Sequence, residues 1–558
     1  MIYSVDCHTE PHFAPPVEEP QGEPFEWGKY RDEPELNVSK QELKEKGRKW
    51  AENVMSGGGG NLDQLAQIYT TEWSGYHGEE EIIHQAADIL DGKAKQFARH
   101  GKISRRWADA GRHLARYYIK LHKGFAESGM LDERINLGEG EKKPRREAYV
   151  QMFKGEFDAF HKSRRLYTNQ TYFGNSGLYY LNRALLKLQP VAALPEKDAR
   201  WFVYEFMGLV PFGPDQSQRR RKLMEAGYPY HVVTDKGLTR ELGYVTDYGE
   251  MTREFAGVAE DIGCPVLKER AEQVVRARVH FRCPENTTDG YKTLRKIGVL
   301  SHRHHHYPAK GGYKAHLPLW EELKALRDPV SKRMCELRVQ MHGHNLDSAS
   351  TLPIEKVKQR LVYKEMPPSD YRLPFEKNVD DYAWADEENA VFMIHNNDEF
   401  IWGSFFMWGA RKGYNRKGRL RHATPINDRV VDFMADARAH VGKMGQLSMN
   451  MPEGHTYIPA ERSYTIPPSP PGVDQAETCK QHVDHGRLWF YQANYGDYLI
   501  GMNTTSKDAY NASLYELDIP EEHQGKMAKD FISGREVDLS EPVVLGPRST
   551  MVLYVGEE

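Results

Sequence analysis

From Ser39 onward the chain repeats apolar residues three and four apart, segment after segment, and this narrows the fold more than any other feature. The segments "SKQELKEKGRKWAENVM", "NLDQLAQIYTTEW", "EEEIIHQAADILDGKAKQFARH" and "ISRRWADAGRHLARYYIKLHKGFAESG" all carry it. So do "REAYVQMFKGEFDAFHKS", "SGLYYLNRALLKLQ", "DARWFVYEFMGLV", "YGEMTREFAGVAEDIG", "PVLKERAEQVVRARVHF", "LPLWEELKALRD" and "PVSKRMCELRVQMHG". That spacing draws one apolar stripe down a helix. Several segments close on Gly or run into Pro, as helix ends do. No strand is expected to alternate with them, which disfavours a βαβ sheet. Consecutive antiparallel helix pairs either close into a ring, an α/α toroid, or stack as a solenoid. No fixed repeat period is visible, and this favours the ring.

The texture changes after "LVYKEMPPSDYRLPFEKN". Short runs such as "AVFMIHN", "EFIWGSFFMWGA", "GRLWFYQANYGDYLIGMNTTS" and "STMVLYVGE" are rich in β-branched and aromatic residues and bounded by turn formers. The expected class is α+β multidomain: a Pro- and Glu-rich extended arm over 1–36, an (α/α) toroid over 37–375, and an antiparallel β-sandwich over 376–558. At 558 residues the chain is long enough for more than one core.

Composition excludes some partners. A net charge of -4 argues against nucleic acid, which needs concentrated basic surface. No apolar run is long enough to span a bilayer, so no membrane partner is expected. The first residues, "MIYSVDCHTEPHFAPP", have no basic patch followed by an apolar stretch, and a cytoplasmic location is the expectation. The 5 cysteines are scattered without a CxxC pair, the pattern of free thiols rather than a disulfide framework or a thiolate zinc site. There are 31 Tyr, 21 Phe and 10 Trp, many beside polar residues, a usage that suits stacking on sugar faces.

Three stretches carry chemistry. In "YTNQTYFGNSGLYYLNRALL" the amides of Asn169, Gln170, Asn175 and Asn182 fall just before or inside a helix start. Capping explains Asn175 and Ser176, whereas Asn169 and Gln170 either cap or face a cleft. In "TDKGLTRELGYVTDYGEMTREF" glycines separate Tyr244 and Tyr248, with Glu241, Asp247 and Glu250 around them; the tyrosines either pack on a helix or project beside a ligand. In "SHRHHHYPAKGGY", Arg303, His304, His305, His306, Tyr307 and Tyr313 crowd together. Three consecutive histidines do not converge on one ion, although alternate ones in extended backbone do share a side. Acid/base work beside an anion fits better, with Arg303 fixing a carboxylate and a histidine titrating near neutrality.

With these segments in hand, the chain resembles the α/α-toroid polysaccharide lyases with a C-terminal β-domain: hyaluronate, chondroitin and alginate lyases and their heparinase-like relatives. "YVTDYGE" resembles the segment whose second tyrosine, just before a glycine, is catalytic, and this maps onto Tyr248. "RHHHYPAKGGY" resembles the Arg- and His-containing "HYP" stretch, mapping onto Arg303, His304, His306 and Tyr307. "TNQ" resembles the segment whose asparagine neutralises the substrate carboxylate, mapping onto Asn169. The histidine that precedes the catalytic tyrosine in hyaluronate lyases is absent from "GLTRELGY".

The resemblance implies β-elimination at a uronic acid within an oligo- or polysaccharide. Asn169, Gln170 and Arg303 would stabilise the enolate-like intermediate. Tyr248 would act as acid and also as base, with His304 or His306 assisting or taking the proton directly. Tyr244, Glu241, Tyr307, Trp73 and Tyr76 are the expected substrate contacts. No cofactor is implied; the HxH pair at His342 and His344 leaves a structural divalent ion open. Two other readings stand beside this one. A glycoside hydrolase needs two carboxyl groups roughly 5–10 Å apart, which Glu241, Asp247 and Glu250 could supply. A non-catalytic glycan-binding protein would only stack and hydrogen-bond.

Overall fold

The computed structural model describes residues 38–103, 109–162, 164, 168–211, 231–240, 244–245, 251–286, 292–296, 320–342, 349–374, 376, 379–397, 399–405, 417–423, 431–438, 446–449, 490–495, 497–505 and 514–556. The described part is α+β. Its helices are α1 (Lys40–Ser56), α2 (Leu62–Tyr69), α3 (Glu80–His100), α4 (Asp109–Glu127), α5 (Arg145–His161) and α6 (Thr168–Leu188). They continue as α7 (Glu196–Phe206), α8 (Thr252–Ile262), α9 (Pro265–Val279), α10 (Trp320–Leu326), α11 (Pro329–His342) and α12 (Ile354–Glu365).

Local chemistry sets their ends. Ser39 and Glu42 form a capping box on α1: Ser39 Oγ accepts from Glu42 N at 3.1 Å and Glu42 Oε2 from Ser39 N at 2.7 Å. Asn61 and Gln64 do the same for α2 at 3.0 and 2.9 Å. Helix α8 stops at Gly263, whose φ of 69° is left-handed, and Pro265 opens α9 where its missing N–H costs nothing.

Packing is ordered by direction. α2 packs on α4 and α4 on α6. Asp63 reaches Tyr117, and the Tyr69 hydroxyl lies against Gly124 further along the same way. Arg112 meets Tyr172, and Arg116 sits over the Tyr180 ring. Phe255 and Asp261 of α8 meet Tyr172 and Tyr180 in the same order. Helices α2, α4, α6 and α8 therefore run parallel. Beside them, α3 and α5 run parallel to each other, with Asp91 on Tyr149 and Phe97 against Gly155. α8 packs on α10, α10 on α12, and α12 on both α1 and α2.

Two strand pairs interrupt this region, a correction to the expectation of helices alone. β1 (Arg134–Gly138) pairs antiparallel with β2 (Glu141–Pro144), and β3 (Arg282–Asn286) with β4 (Lys292–Lys296). The first turns through Gly138, Glu139 and Gly140, all at positive φ (113°, 49° and 81°). "NLGEGEK" encodes a hairpin too short to show a strand period.

The C-terminal part holds a six-stranded antiparallel sheet in chain order, β5 (Tyr382–Asp386), β6 (Val391–Asn396), β7 (Glu399–Ser404), β8 (Lys417–Ala423), β9 (Val431–Arg438) and β10 (Gln446–Met449). The later strands are β11 (Phe490–Tyr495), β12 (Tyr498–Asn503), β13 (Tyr515–Glu516), β14 (Met527–Asp530), β15 (Arg535–Asp538), β16 (Val544–Leu545) and β17 (Ser549–Tyr554). Five of them form a second antiparallel sheet in the order β11-β12-β17-β14-β15, and β13 pairs with β16. Every residue of β6 is buried. Phe392 and Ile394 share a core with Tyr491, Ile500 and Val552 of the second sheet. Val391 and Met393, pointing the other way, pack with Leu238, Ala277 and Phe281 of the helical part. A strand covered on both faces reads as a continuous apolar run, which is what "AVFMI" is.

Candidate functional site

The site is built at the start of α6. Thr168 opens the helix and its Oγ1 donates to the Arg240 carbonyl at 3.0 Å. This fixes the helix start beside the segment that leads to Tyr244. Asn169, Gln170, Phe173 and Gly174 lie three and four apart and are all half-buried, so they form one face. Asn169 Oδ1 and Gln170 Oε1 are buried without a hydrogen-bond partner among the described residues. An amide buried this way costs about 1–3 kcal/mol until something pairs with it.

Arg112 of α4 meets α6 at the residues one turn after these amides, Tyr172 and Phe173. Its Nη1 donates to the Tyr172 hydroxyl at 2.9 Å, and its guanidinium lies 4.9 Å from the centre of the Phe173 ring, one turn after Asn169. His113 Nε2 is 3.0 Å from Arg112 Nη2, and the His113 ring stacks on Tyr117 at 6.0 Å. Burial holds the Tyr172 phenol above its ordinary value, with the Arg112 charge opposing. The face therefore carries two unpaired amide oxygens, with the Arg112 cation and the His113 imidazole at the next turn of α6.

Below this mouth the space between the parallel helices is closed by ions. Arg116 Nε donates to Asp261 Oδ2 at 2.6 Å, the Tyr180 hydroxyl donates to the same oxygen at 2.6 Å, and Lys120 Nζ is 3.6 Å from Oδ1. Burial pushes the Asp261 carboxyl up, but the Arg116 and Lys120 charges and the two hydrogen bonds outweigh it and hold the carboxyl below the usual range. Burial raises Tyr180 well above its ordinary value, and Asp261 adds to the effect.

The residues expected from sequence fall into three groups. Asn169 and Gln170 lie together on the mouth. Tyr248, Glu241, Arg303, His304, His306 and Tyr307 lie outside the described residues, as do Asp247 and Glu250. Tyr244, Trp73 and Tyr76 are placed elsewhere. Tyr244 is 1% exposed, with its ring 4.9 Å from Phe281 and the Arg278 guanidinium 5.4 Å from its centre. It is a core residue at the helical–β junction, which corrects its expected role as a substrate contact. Trp73 and Tyr76 follow the C-terminal end of α2, whereas the amides sit at the N-terminal end of the parallel α6. Trp73 is wedged against Gly47 and Val357 between α1 and α12, and Tyr76 packs on the helical core, so neither forms a platform beside Asn169.

Asn175 is also corrected. It lies inside α6, 1% exposed, donating to the Phe202 carbonyl at 3.0 Å and to Glu205 at 2.9 Å, with Arg164 paired to the same carboxylate. It anchors α7 and caps nothing.

Sequence reasoning missed Arg112 and His113. Their signal lies in "GRHLARYYIK", where His113, Arg116, Tyr117 and Lys120 mark one face of α4 while Leu114, Tyr118 and Leu121 fill the other. Among the described residues, no group of three or more His, Cys, Asp and Glu is arranged to hold a metal, and no helix is long and apolar enough to cross a membrane. Comparison with protein-family models, curated proteins and solved structures finds no match.

Proposed function

We propose that the chain is a polysaccharide lyase that cleaves a uronate-containing glycan by β-elimination, on an α/α toroid joined to a β-sandwich. The observation that carries this reading is the pair of buried amide oxygens at Asn169 and Gln170, without partners among the described residues, with Arg112 against Tyr172 and Phe173 at the next turn. A uronate carboxylate is a fitting partner, since an amide turned about its last torsion presents NH2 in place of oxygen. The toroid is supported by the neighbour order. The parallel set α2, α4, α6 and α8, whose last two members meet through Tyr172 with Phe255 and Tyr180 with Asp261, continues through α10 and α12 back to α1 and α2, a closed circuit. The sandwich is supported by the single apolar cluster drawn from the inner faces of both sheets.

In this reading Asn169, Gln170, Arg112 and Arg303 hold the carboxylate, and their donors strengthen as charge moves onto it when the C5 proton leaves. Tyr248 takes that proton or protonates the departing glycosidic oxygen, assisted by His304 or His306. Thr168, tied to the Arg240 carbonyl, keeps the amides close to the stretch of chain that leads to Tyr248. The test is turnover of uronate-containing glycans followed by the ultraviolet absorbance of the unsaturated product. Tyr248→Phe is expected to abolish it, and Asn169→Ala to lower kcat about 10²–10³-fold. A saturated reducing end with no new chromophore would replace the lyase with a hydrolase. Near-normal turnover in Tyr248→Phe would remove that residue from the mechanism.

A further inference from the structure

A cleft of about 550 Å³ opens on the far side of the Arg116–Asp261 closure from the amide mouth, between α2, α4, α8, α10 and α12. Its size falls in the range of small-molecule sites, roughly 300–1,000 Å³. Charged residues of both signs line it, and most are matched. Lys120 is near Asp261, Lys324 Nζ lies 2.8 Å from both Glu260 and Glu355, and Arg327 pairs with Glu365 at 2.8 Å. Asp63 is engaged by the Tyr117 hydroxyl.

Lys358 is the exception. It is half-buried on the wall of the cleft and makes no hydrogen bond or ion pair to a described residue. Burial pulls its ammonium below the ordinary lysine value; Glu355 opposes this, while Lys324 and Lys120 push the same way as burial. Glu355 and Glu260 stand near without pairing with it, and a cation held in a partly dry cleft beside two further lysines is relieved by an anion in direct contact. The rest of the lining leaves partners for hydroxyl groups: Tyr117 donates to Asp63, Thr70 to the Ala66 carbonyl at 2.7 Å, and Gln67 Oε1 accepts from Glu355 N at 3.2 Å, so the two hydroxyl oxygens remain as acceptors and the Gln67 NH2 as a donor.

We infer that this cleft binds a sugar acid of one ring, its carboxylate paired with Lys358 and its hydroxyls held by Tyr117, Thr70 and Gln67. The site is separate from the amide mouth, so its occupancy does not depend on the lyase reading and is tested without any activity measurement.

The experiment is calorimetric titration of the full-length chain with sodium glucuronate, glucose and sodium sulfate at matched ionic strength. Saturable binding of glucuronate, with none of glucose, is expected. Lys358→Met should weaken it roughly tenfold or more, and Lys358→Arg should keep it within a few-fold of the parent. Competition by sulfate would support the oxyanion contact. Sulfate binding without glucuronate binding would overturn the sugar acid. Equal binding of glucose, or unchanged binding in Lys358→Met, would overturn the role of the ammonium.

Discussion

Glu322 sits in the first turn of α10, 1% exposed, accepting a hydrogen bond from Thr252 Oγ1 at 2.8 Å. Its second oxygen is buried without a partner among the described residues, and burial pushes its carboxyl up to about 8. In the unfolded chain a glutamate titrates near ~4.3. Between those two values the folded state holds more protons than the unfolded state, so stability is full below the lower value and is lost as pH rises through the upper one. Glu322→Gln keeps the acceptor for Thr252 and removes the charge. Chemical denaturation from pH 5 to 8 should show the parent losing on the order of a few kcal/mol relative to this variant. At the same scale, the sequence announced Asn169 and Gln170 because two adjacent amides exceed what one cap can use. It was silent on Glu322 and Lys358, because only tertiary burial distinguishes them from any other surface charge.

Among the elements, helix existence was legible and helix ends less so. α6 begins at Thr168, earlier than the apolar run "SGLYYLNRALL" suggested, because Thr168 and Asn175 find their partners in the Arg240 carbonyl and in α7. A local reading spends those side chains on a cap; the fold spends them on neighbours. The approach of α3 to α5 rests on Gly155, where an added Cβ would run into the Phe97 ring. Alanine gains about 1 kcal/mol in helix propensity over glycine, but forcing the ring aside costs about 1–3 kcal/mol. Gly155→Ala should therefore lower the urea midpoint, and Phe97→Leu in the same chain should recover part of the loss.

At the scale of the molecule, the last described helix ends at Glu365 and the six-stranded sheet opens at Tyr382, on either side of the change of period and composition near residue 376. The way the two parts join was not legible, because on the helical side the polar joining residues, Thr234 and Lys236, lie in a tight turn that carries no helical period. Asp386, 1% exposed, accepts from Thr234 Oγ1 at 2.6 Å and from the backbone of Glu388 at 3.0 Å, while Lys236 pairs with Glu387 at 2.9 Å. Trp402 Nε1 donates to the His280 carbonyl at 2.8 Å. Asp386→Ala should cost about 3 kcal/mol and split one calorimetric unfolding transition into two. The shared direction of α2, α4, α6 and α8 has an effect beyond packing. Each helix carries a partial positive charge at its start, and the starts of α4, α6 and α8 lie level, whereas α2 begins two turns further along, where Asp63 meets Tyr117. A negative group that settles at one of those three starts is favoured by about 0.3–1 kcal/mol, within the first turn only, and added salt weakens the effect.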